Sequence, residues 1–341
     1  MQIIASLPKI NITMKTEHYI TWWNVENLFD VRNSPRRPEW LENKLNSELK
    51  NWTKTILNTK LKNLASIMQL INEGKGSDIF GLCEVENQFV LQLLADRLND
   101  ALPNRSYEII LHNSGDKRGI DIGVIYDTNK YSIQQMNGEN KVFTYRITKR
   151  SPTRDILQIE LMTKRGNNLV LLMNHWYSRL SGKYFSEPYR IISAETLSYW
   201  VMRTQEELGG NTPILVMGDF NDEPFDRSMT EYAQSSSSKK KVLSGRNPYL
   251  YNLMWELFGK EVGTHVYGSD ILLIDQFLAA KGLIHRDAKL KVKDGSCKIE
   301  VFDTMVKGKY NTPIKFSSRK NSYNKKGVSD HLPISVIIEE K

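Results

Sequence analysis

Short apolar runs alternate with amphipathic stretches along the whole chain. Tyr19–Val25 follows a polar lead-in and is rich in β-branched and aromatic residues, which predicts a strand. The prolines of Asn33–Pro38 mark a loop. Leu57, Leu61, Leu64, Met68 and Ile71 recur at spacings of four, three, four and three, so they share one helix face, ended by Gly74 and Gly76. Asp78–Cys83 is a short apolar run between turn signals and predicts a buried strand, and Val90–Leu98 is again helical. Ile120–Tyr126, Ile156–Leu161, Leu169–Asn174, Ile214–Met217, Ile271–Leu278 and Leu332–Ile338 predict further strands. Pro188–Leu208 predicts a helix capped by Ser186, and Ser235–Lys241 (SSSSKKK) an exposed loop. Strands and helices interleave throughout, which predicts a layered α/β fold with sheets between helical layers. No repeat and no break in composition divides the chain, so one domain is expected over residues 1–341, with 1–18 as a lead-in.

Composition narrows this picture without changing it. Hydrophobic residues make up 40% and charged residues 25% of 341 residues, as in an ordinary globular domain. No apolar run reaches the length of a membrane span. The N-terminal stretch MQIIASLPKINITMK lacks the pattern of a secretory signal, and the two cysteines, Cys83 and Cys297, suit a reducing compartment. A cytoplasmic location is therefore expected. Two cysteines also exclude a disulfide scaffold and a Cys-based zinc site. Lys plus Arg is 47 against 39 Asp plus Glu, a net charge of +8 that favours a polyanionic partner. Lys307–Lys326 carries seven basic residues, no acidic one, and Tyr310, Phe316 and Tyr323 among them. Basic residues interleaved with aromatics suit phosphate and base contacts, although composition alone favours a solvated, mobile basic loop.

Chemistry gathers where the predicted strands end. Asn24 and Asn27 follow the first strand, Glu84 follows DIFGLC, and Asn174 and His175 follow LVLLM. Asp219 and Asn221 follow ILVM, Asp275 lies in ILLIDQF, and Asp330 and His331 precede the last strand. Singly, each has an ordinary structural explanation: a turn, a solvated carboxylate, a satisfied histidine. Strand-end loops are where α/β folds place their sites, and six together predict one oxygen-rich centre. Carboxylate and amide donors suit Mg²⁺ or Mn²⁺ rather than zinc. A divalent ion would offset the charge of a phosphoester, a carboxylate could take the proton of water, and histidines could donate to phosphate or leaving group. Trp22 and Trp23 are expected to pack, and Cys83 to be core.

The motifs WNVENLFD (Trp23–Asp30), LCEVEN with Glu84, NHW (Asn174–Trp176), GDFND (Gly218–Asp222), LID (Leu273–Asp275) and SDH (Ser329–His331) resemble, in order, those of the endonuclease/exonuclease/phosphatase superfamily, the DNase I-like phosphoesterases. WNVENLFD with NHWYSR most resembles bacterial members. The resemblance implies a four-layer α/β/β/α sandwich with two central mixed sheets. It implies that Asn24 and Glu84 hold the metal and that Asp219 and Asn221 activate and orient water or phosphate. It further implies that Asp330 binds metal or orients its histidine and that His331 and His175 flank the scissile phosphate. Asp275 matches a supporting acidic position, and Arg154 a phosphate-contacting arginine. Arg118 and Asp121 are expected to line the same site, with Asp121 orienting His175; Asn174, Lys315 and Arg319 complete the expected substrate contacts. The chain departs from the pattern at Cys83, where the family often carries glutamine.

These features predict a Mg²⁺- or Mn²⁺-dependent phosphodiesterase, with a nuclease favouring DNA as the leading expectation because of the basic stretch. A histidine in NHW, where abasic-site endonucleases usually present tyrosine, argues against that repair role. The alternative is a phosphatase or phosphodiesterase acting on an inositol phosphate, nucleotide or phospholipid. A non-catalytic nucleic-acid-binding protein is disfavoured because every expected catalytic position holds a competent residue.

Overall fold

The strand Thr16–Leu28 is buried on both faces, and its side chains alternate between two different cores. Tyr19, Trp23 and Val25 face one core, while Ile20 and Trp22 face the other. That double burial places the strand at the centre of a sheet. The structure is a computed structural model describing residues 15–148, 153–317 and 322–341. Most of the 1–18 lead-in, and Arg319 and Lys320 of the basic stretch, lie outside the described residues.

Two mixed sheets form the middle layers. The first orders its strands Leu290–Val292, Ile334–Glu340, Thr16–Leu28, Ile79–Val85, Asp121–Asp127 and Tyr107–His112, with Lys298–Ile299 also paired to Ile334–Glu340. The second runs Ser235–Ser236, Leu250–Asn252, Asp275–Ala279, Ile214–Asp219, Asn168–His175, Ile156–Thr163 and Tyr131–Ile133, with Val142–Tyr145 also on Ile156–Thr163. Helices Lys54–Gly74 and Gln88–Ala101 cover the first sheet, packing Leu57, Leu61, Leu64 and Leu91 against Trp23, Phe80 and Leu82. Helix Lys183–Leu208 covers the second, with Ala194, Leu197 and Val201 against Val170, Leu172 and Val216. Trp22, Ile79 and Cys83 meet Met173, Met217 and Phe277 between the sheets. The order is helix, sheet, sheet, helix. Gly81 allows the sheets to close, since a Cβ there would lie 2.9 Å from Trp22 and 3.0 Å from the Met217 sulfur.

Four local expectations change. Ser186 lies inside the helix, which starts after Gly182, and its hydroxyl donates to the Gly182 carbonyl at 2.6 Å. The helix Lys54–Gly74 loses helical geometry at Ile71, and Asn72 and Glu73 turn in the left-handed region before Gly74. Ser235–Lys241 is not an exposed loop: Ser235 and Ser236 pair with Leu250 and Tyr251, and Ser238 caps a short helix, Lys239–Ser244. Ile271–Leu278 is two strands, because Asp270–Leu272 folds back on His265–Tyr267 before Asp275–Ala279 begins. Among the described residues, no helix is long and apolar enough to cross a membrane.

Candidate active site

Register brings the acidic strand ends together. In the second sheet His175 pairs with Asp219 and Asp219 with Asp275, giving one row across three strands. In the first sheet Asn24 stands beside Cys83, and bulges follow on both strands. The bulges leave Glu26, Asn27 and Glu84 with φ of 53°, 53° and 67°. Asn221 turns at 51° after Asp219. Positive φ costs a non-glycine residue strain, and such strain concentrates where side chains must be aimed. Gly218 is required beside them, since its Cβ would lie 2.5 Å from the Asn174 carbonyl oxygen.

A cleft of about 520 Å³ opens over these ends. Asn24, Glu84, Arg118, His175, Asp219, Asn221, Lys315, Asp330 and His331 all line it, as do Asn27 and His265. Asn24 joins the sheets by donating from Nδ2 to Asp219 Oδ2 at 3.1 Å, while its Oδ1 accepts the Glu26 N–H at 3.0 Å. Ser329 donates to the Asn24 carbonyl at 2.7 Å, fixing the SDH turn beside it. Glu84 Oε2 accepts the Asn27 N–H at 2.9 Å. Its Oε1 stands 3.8 Å from His175 Nε2 and 4.0 Å from the Arg118 guanidinium. The Asn221 N–H caps Asp219 Oδ1 at 3.0 Å.

The two family-matched histidines have opposite electrostatics. His331 Nδ1 meets Asp275 Oδ2 at 2.7 Å, and its Nε2 lies 4.0 Å from Asp219. Burial alone would lower the His331 pKa, but the Asp275 carboxylate beside it, then Asp219 and Asp330, raise it to about 10. Burial pushes His175 well below its ordinary range, helped by Arg154, Arg118 and His331, and among the described residues its Nδ1 has no hydrogen-bond partner. Burial first, and then Asp275, raises the Asp219 carboxyl. These surroundings favour the charged imidazole at His331 and the neutral one at His175. Asp275 itself lies beneath the cleft, where Trp22 Nε1 donates to it at 3.1 Å and Thr264 Oγ accepts its N–H at 3.2 Å. Trp22 therefore both packs and positions.

Three expected contacts lie elsewhere. Asp121 does not orient His175: it accepts from the Ser114 N–H at 3.0 Å and hydroxyl at 2.5 Å, and burial raises it to about 7. The buried Arg154 guanidinium is held by Asp116 at 3.3 Å and the Trp176 carbonyl at 2.7 Å, behind His175 and outside the cleft lining. Asn174 is fully buried and accepts from Trp176 Nε1 at 3.0 Å, so it shapes the turn after His175. Arg319 lies outside the described residues.

The cleft also holds His265, which no sequence motif singled out, and two cations of Tyr177–Ser186 whose side chains would suit phosphate. His265 lines it with its ring 4.4 Å from that of His331. A lone histidine carries no motif, and only the Tyr267–Asp270 turn around Gly268 signalled a hairpin there. Arg179 and Lys183 face the cleft with their charges taken up. Arg179 pairs with Asp222 at 3.0 Å and Asp226 at 2.6 Å, and Lys183 with Asp226 at 2.8 Å.

The donor set fits a hard divalent ion. Glu84, Asp219 and Asp330 bring carboxylates to one cleft, Asn24 and Asn221 bring amides, and among the described residues Glu84 Oε1 makes no hydrogen bond. Cys83 is buried between the sheets, and burial raises its thiol, so it is core.

The sequence pattern of the Endonuclease/Exonuclease/phosphatase family matches residues 19–340. No curated protein matches the chain by sequence. Among solved structures, it is similar to an endonuclease/exonuclease/phosphatase family protein from Bacteroides thetaiotaomicron, with TM-score 0.55 and 16% identity over 96% of this chain and 99% of that one. It is also similar to a mannosyl-6-phosphatase of the same organism, with TM-score 0.52 and 16% identity over 94% and 99%. Truncated Caenorhabditis elegans TDP2 gives TM-score 0.54 and 13% identity over 94% and 97%. At these identities the structures establish a shared DNase I-like fold. The match over residues 19–340 shows that the chain belongs to the endonuclease/exonuclease/phosphatase family, whose members are phosphoester hydrolases, generally metal-dependent.

Proposed function

We propose that the cleft hydrolyses a small phosphoester, and the pairing of its cations carries that reading. Arg179 and Lys183 are tied to Asp222 and Asp226, and Lys315 Nζ lies 3.7 Å from Asp330. Arg118, 40% exposed, lies 4.0 Å from Glu84 and 3.9 Å from Asp116. That complement suits one phosphate group better than a polyanionic backbone, which binds through many unpaired cations. The mannosyl-6-phosphatase similarity is compatible with it.

In this proposal Glu84, with Asn24 and Asp330, would hold a Mg²⁺ or Mn²⁺ ion, and the bound ion would supply charge neutralisation at the phosphate oxygens. Asp219, its carboxyl raised by burial and capped by Asn221, takes the proton of the attacking water, and as the P–O bond to the alcohol breaks the departing oxygen takes a proton from solvent. His331 keeps its charge through Asp275 and donates from Nε2 to a phosphate oxygen, stabilising charge that builds up in the transition state. Neutral His175 offers a second hydrogen bond without adding charge. A cytoplasmic location belongs to the same proposal and rests on the two free, buried cysteines.

DNA is the second reading, favoured by the net charge of +8 and the seven basic residues of Lys307–Lys326. Phosphate release from a panel of small esters, beside nicking of supercoiled plasmid at two salt concentrations, separates the two. Ester turnover with no nicking supports the first. Nicking that falls steeply with salt, without ester turnover, replaces it with the second.

A further inference from the structure

His265–Tyr267 and Asp270–Leu272 form a two-stranded hairpin beside the cleft. His265 stands opposite Leu272 and Tyr267 opposite Asp270, so strand alternation puts these four on one face, and all four line the cleft. Val266 and Ile271 take the other face. The base of the hairpin is fixed. Thr264 N–H donates to the Leu272 carbonyl at 2.8 Å, and Leu332 N–H donates to the Thr264 carbonyl at 2.7 Å. The face is thereby held in a set position beside His331.

The hairpin face offers acceptors. His265 Nδ1 lies 2.9 Å from the Asp330 carbonyl oxygen. A carbonyl only accepts, so in the neutral ring Nδ1 carries the proton and Nε2 keeps its lone pair. Asp270 is exposed and has no cation partner among the described residues, and Tyr267 is 62% exposed. An imidazole nitrogen, a phenol oxygen and a carboxylate therefore stand together next to the residues assigned to the phosphate. A second phosphate brought to this wall would meet the Asp270 carboxylate and be repelled. Hydroxyl groups are donors that such a wall can satisfy.

We propose that this face is a subsite for the hydroxyl groups of the alcohol part of the substrate, which makes the substrates phosphate esters of sugars or similar polyols. The proposal rests on the small-phosphoester reading above and adds the identity of the alcohol.

The test compares kcat/KM for a hexose phosphate with that for phenyl phosphate, which carries no hydroxyl, with Mg²⁺ or Mn²⁺ supplied. The wild type is expected to prefer the hexose phosphate. Asp270→Ala is expected to lower that preference at least about tenfold, chiefly through KM, as loss of a hydrogen bond to a charged acceptor implies. Asp270→Asn keeps an acceptor oxygen and should recover part of the loss. His265→Phe keeps a ring against His331 but removes the acceptor, and should lower the preference as well. Because Asp270 is exposed on a hairpin, a melting curve confirms that its variants fold. A preference unchanged within about twofold in both Asp270→Ala and His265→Phe overturns the subsite, as does a wild type that favours phenyl phosphate, while leaving the small-phosphoester reading standing. Turnover of neither ester overturns both.

Discussion

The Nδ1 of His331 lies 2.7 Å from Asp275 Oδ2, and this contact sets which histidine of the cleft is charged. Asp275 is fully buried and does not reach the cleft, so it acts on substrate only through His331. Asp275→Asn should lower kcat by about 10²–10⁴-fold, the range of a misdirected general acid or base. The pH profile gives a sharper test. His331, raised to about 10, keeps its proton until the pH passes that value, so the alkaline limb of log kcat should lie high. Removing the Asp275 charge should bring that limb down toward the ordinary imidazole value of about 6.5. An alkaline limb that stays in place would contradict the assignment.

Trp22 was expected only to pack, yet its indole N–H donates to Asp275 Oδ1 at 3.1 Å. Trp22→Phe keeps the ring between the sheets and removes the donor. It should destabilise the fold by about 1–3 kcal/mol, the cost of leaving a buried acceptor short of one hydrogen bond. It should also lower kcat, because Asp275 is then less firmly placed. Chemical denaturation and steady-state kinetics on the same variant check both effects.

Legibility in the sequence follows the range of the interaction. Strand ends such as Asp219 and Glu84 were readable because each follows an apolar run, and the sheet register then brings them to one cleft. Partners set by tertiary packing were not. Ser114 takes Asp121 away from His175, and Asp116 holds Arg154. Arg179 in YSRLSGK looks free for phosphate, but its partners Asp222 and Asp226 lie more than 40 residues on. The run Ile271–Leu278 hides a hairpin because Leu273 and Ile274 are as apolar as the strands they separate. His265 carries no motif for the same reason, since its place in the cleft depends on a fold-back marked only by the Gly268 turn.

Arg190 is fully buried, with Nε 2.7 Å from Asp222 Oδ2 and Nη1 accepted by Ser186 Oγ at 2.6 Å. Asp222 also receives Arg179, so this network ties the GDFND turn to the start of the helix Lys183–Leu208. Arg190→Ala leaves a buried carboxylate short of its main cation and should cost about 3–5 kcal/mol. A fall in Tm is the readout, and Arg203→Ala, an exposed arginine on the same helix, should leave Tm nearly unchanged.

His18 and Glu340 pair at 2.9 Å in a buried setting at the outset of the first strand. Burial lowers the His18 pKa despite the Glu340 hydrogen bond. Burial works the other way on Glu340, but hydrogen bonds from Thr163, Asn167 and His18 hold it below the usual range. Both folded values are depressed, so the unfolded chain binds protons first as pH falls. The stability this pair contributes should be full at neutral pH and decline from about pH 6.5 downward, first through His18 and then through Glu340. His18→Gln should flatten the first part of that decline in denaturation curves taken at stepped pH. Identical slopes for variant and wild type would contradict the sign.

The most direct single measurement is phosphate release from small esters with Mg²⁺ or Mn²⁺, comparing wild type with Asp219→Ala. The expected result is turnover that EDTA abolishes and that falls at least about 10²-fold in the variant, since the proton acceptor for water is gone. Turnover that survives EDTA, or that Asp219→Ala leaves intact, would contradict metal-assisted hydrolysis in this cleft.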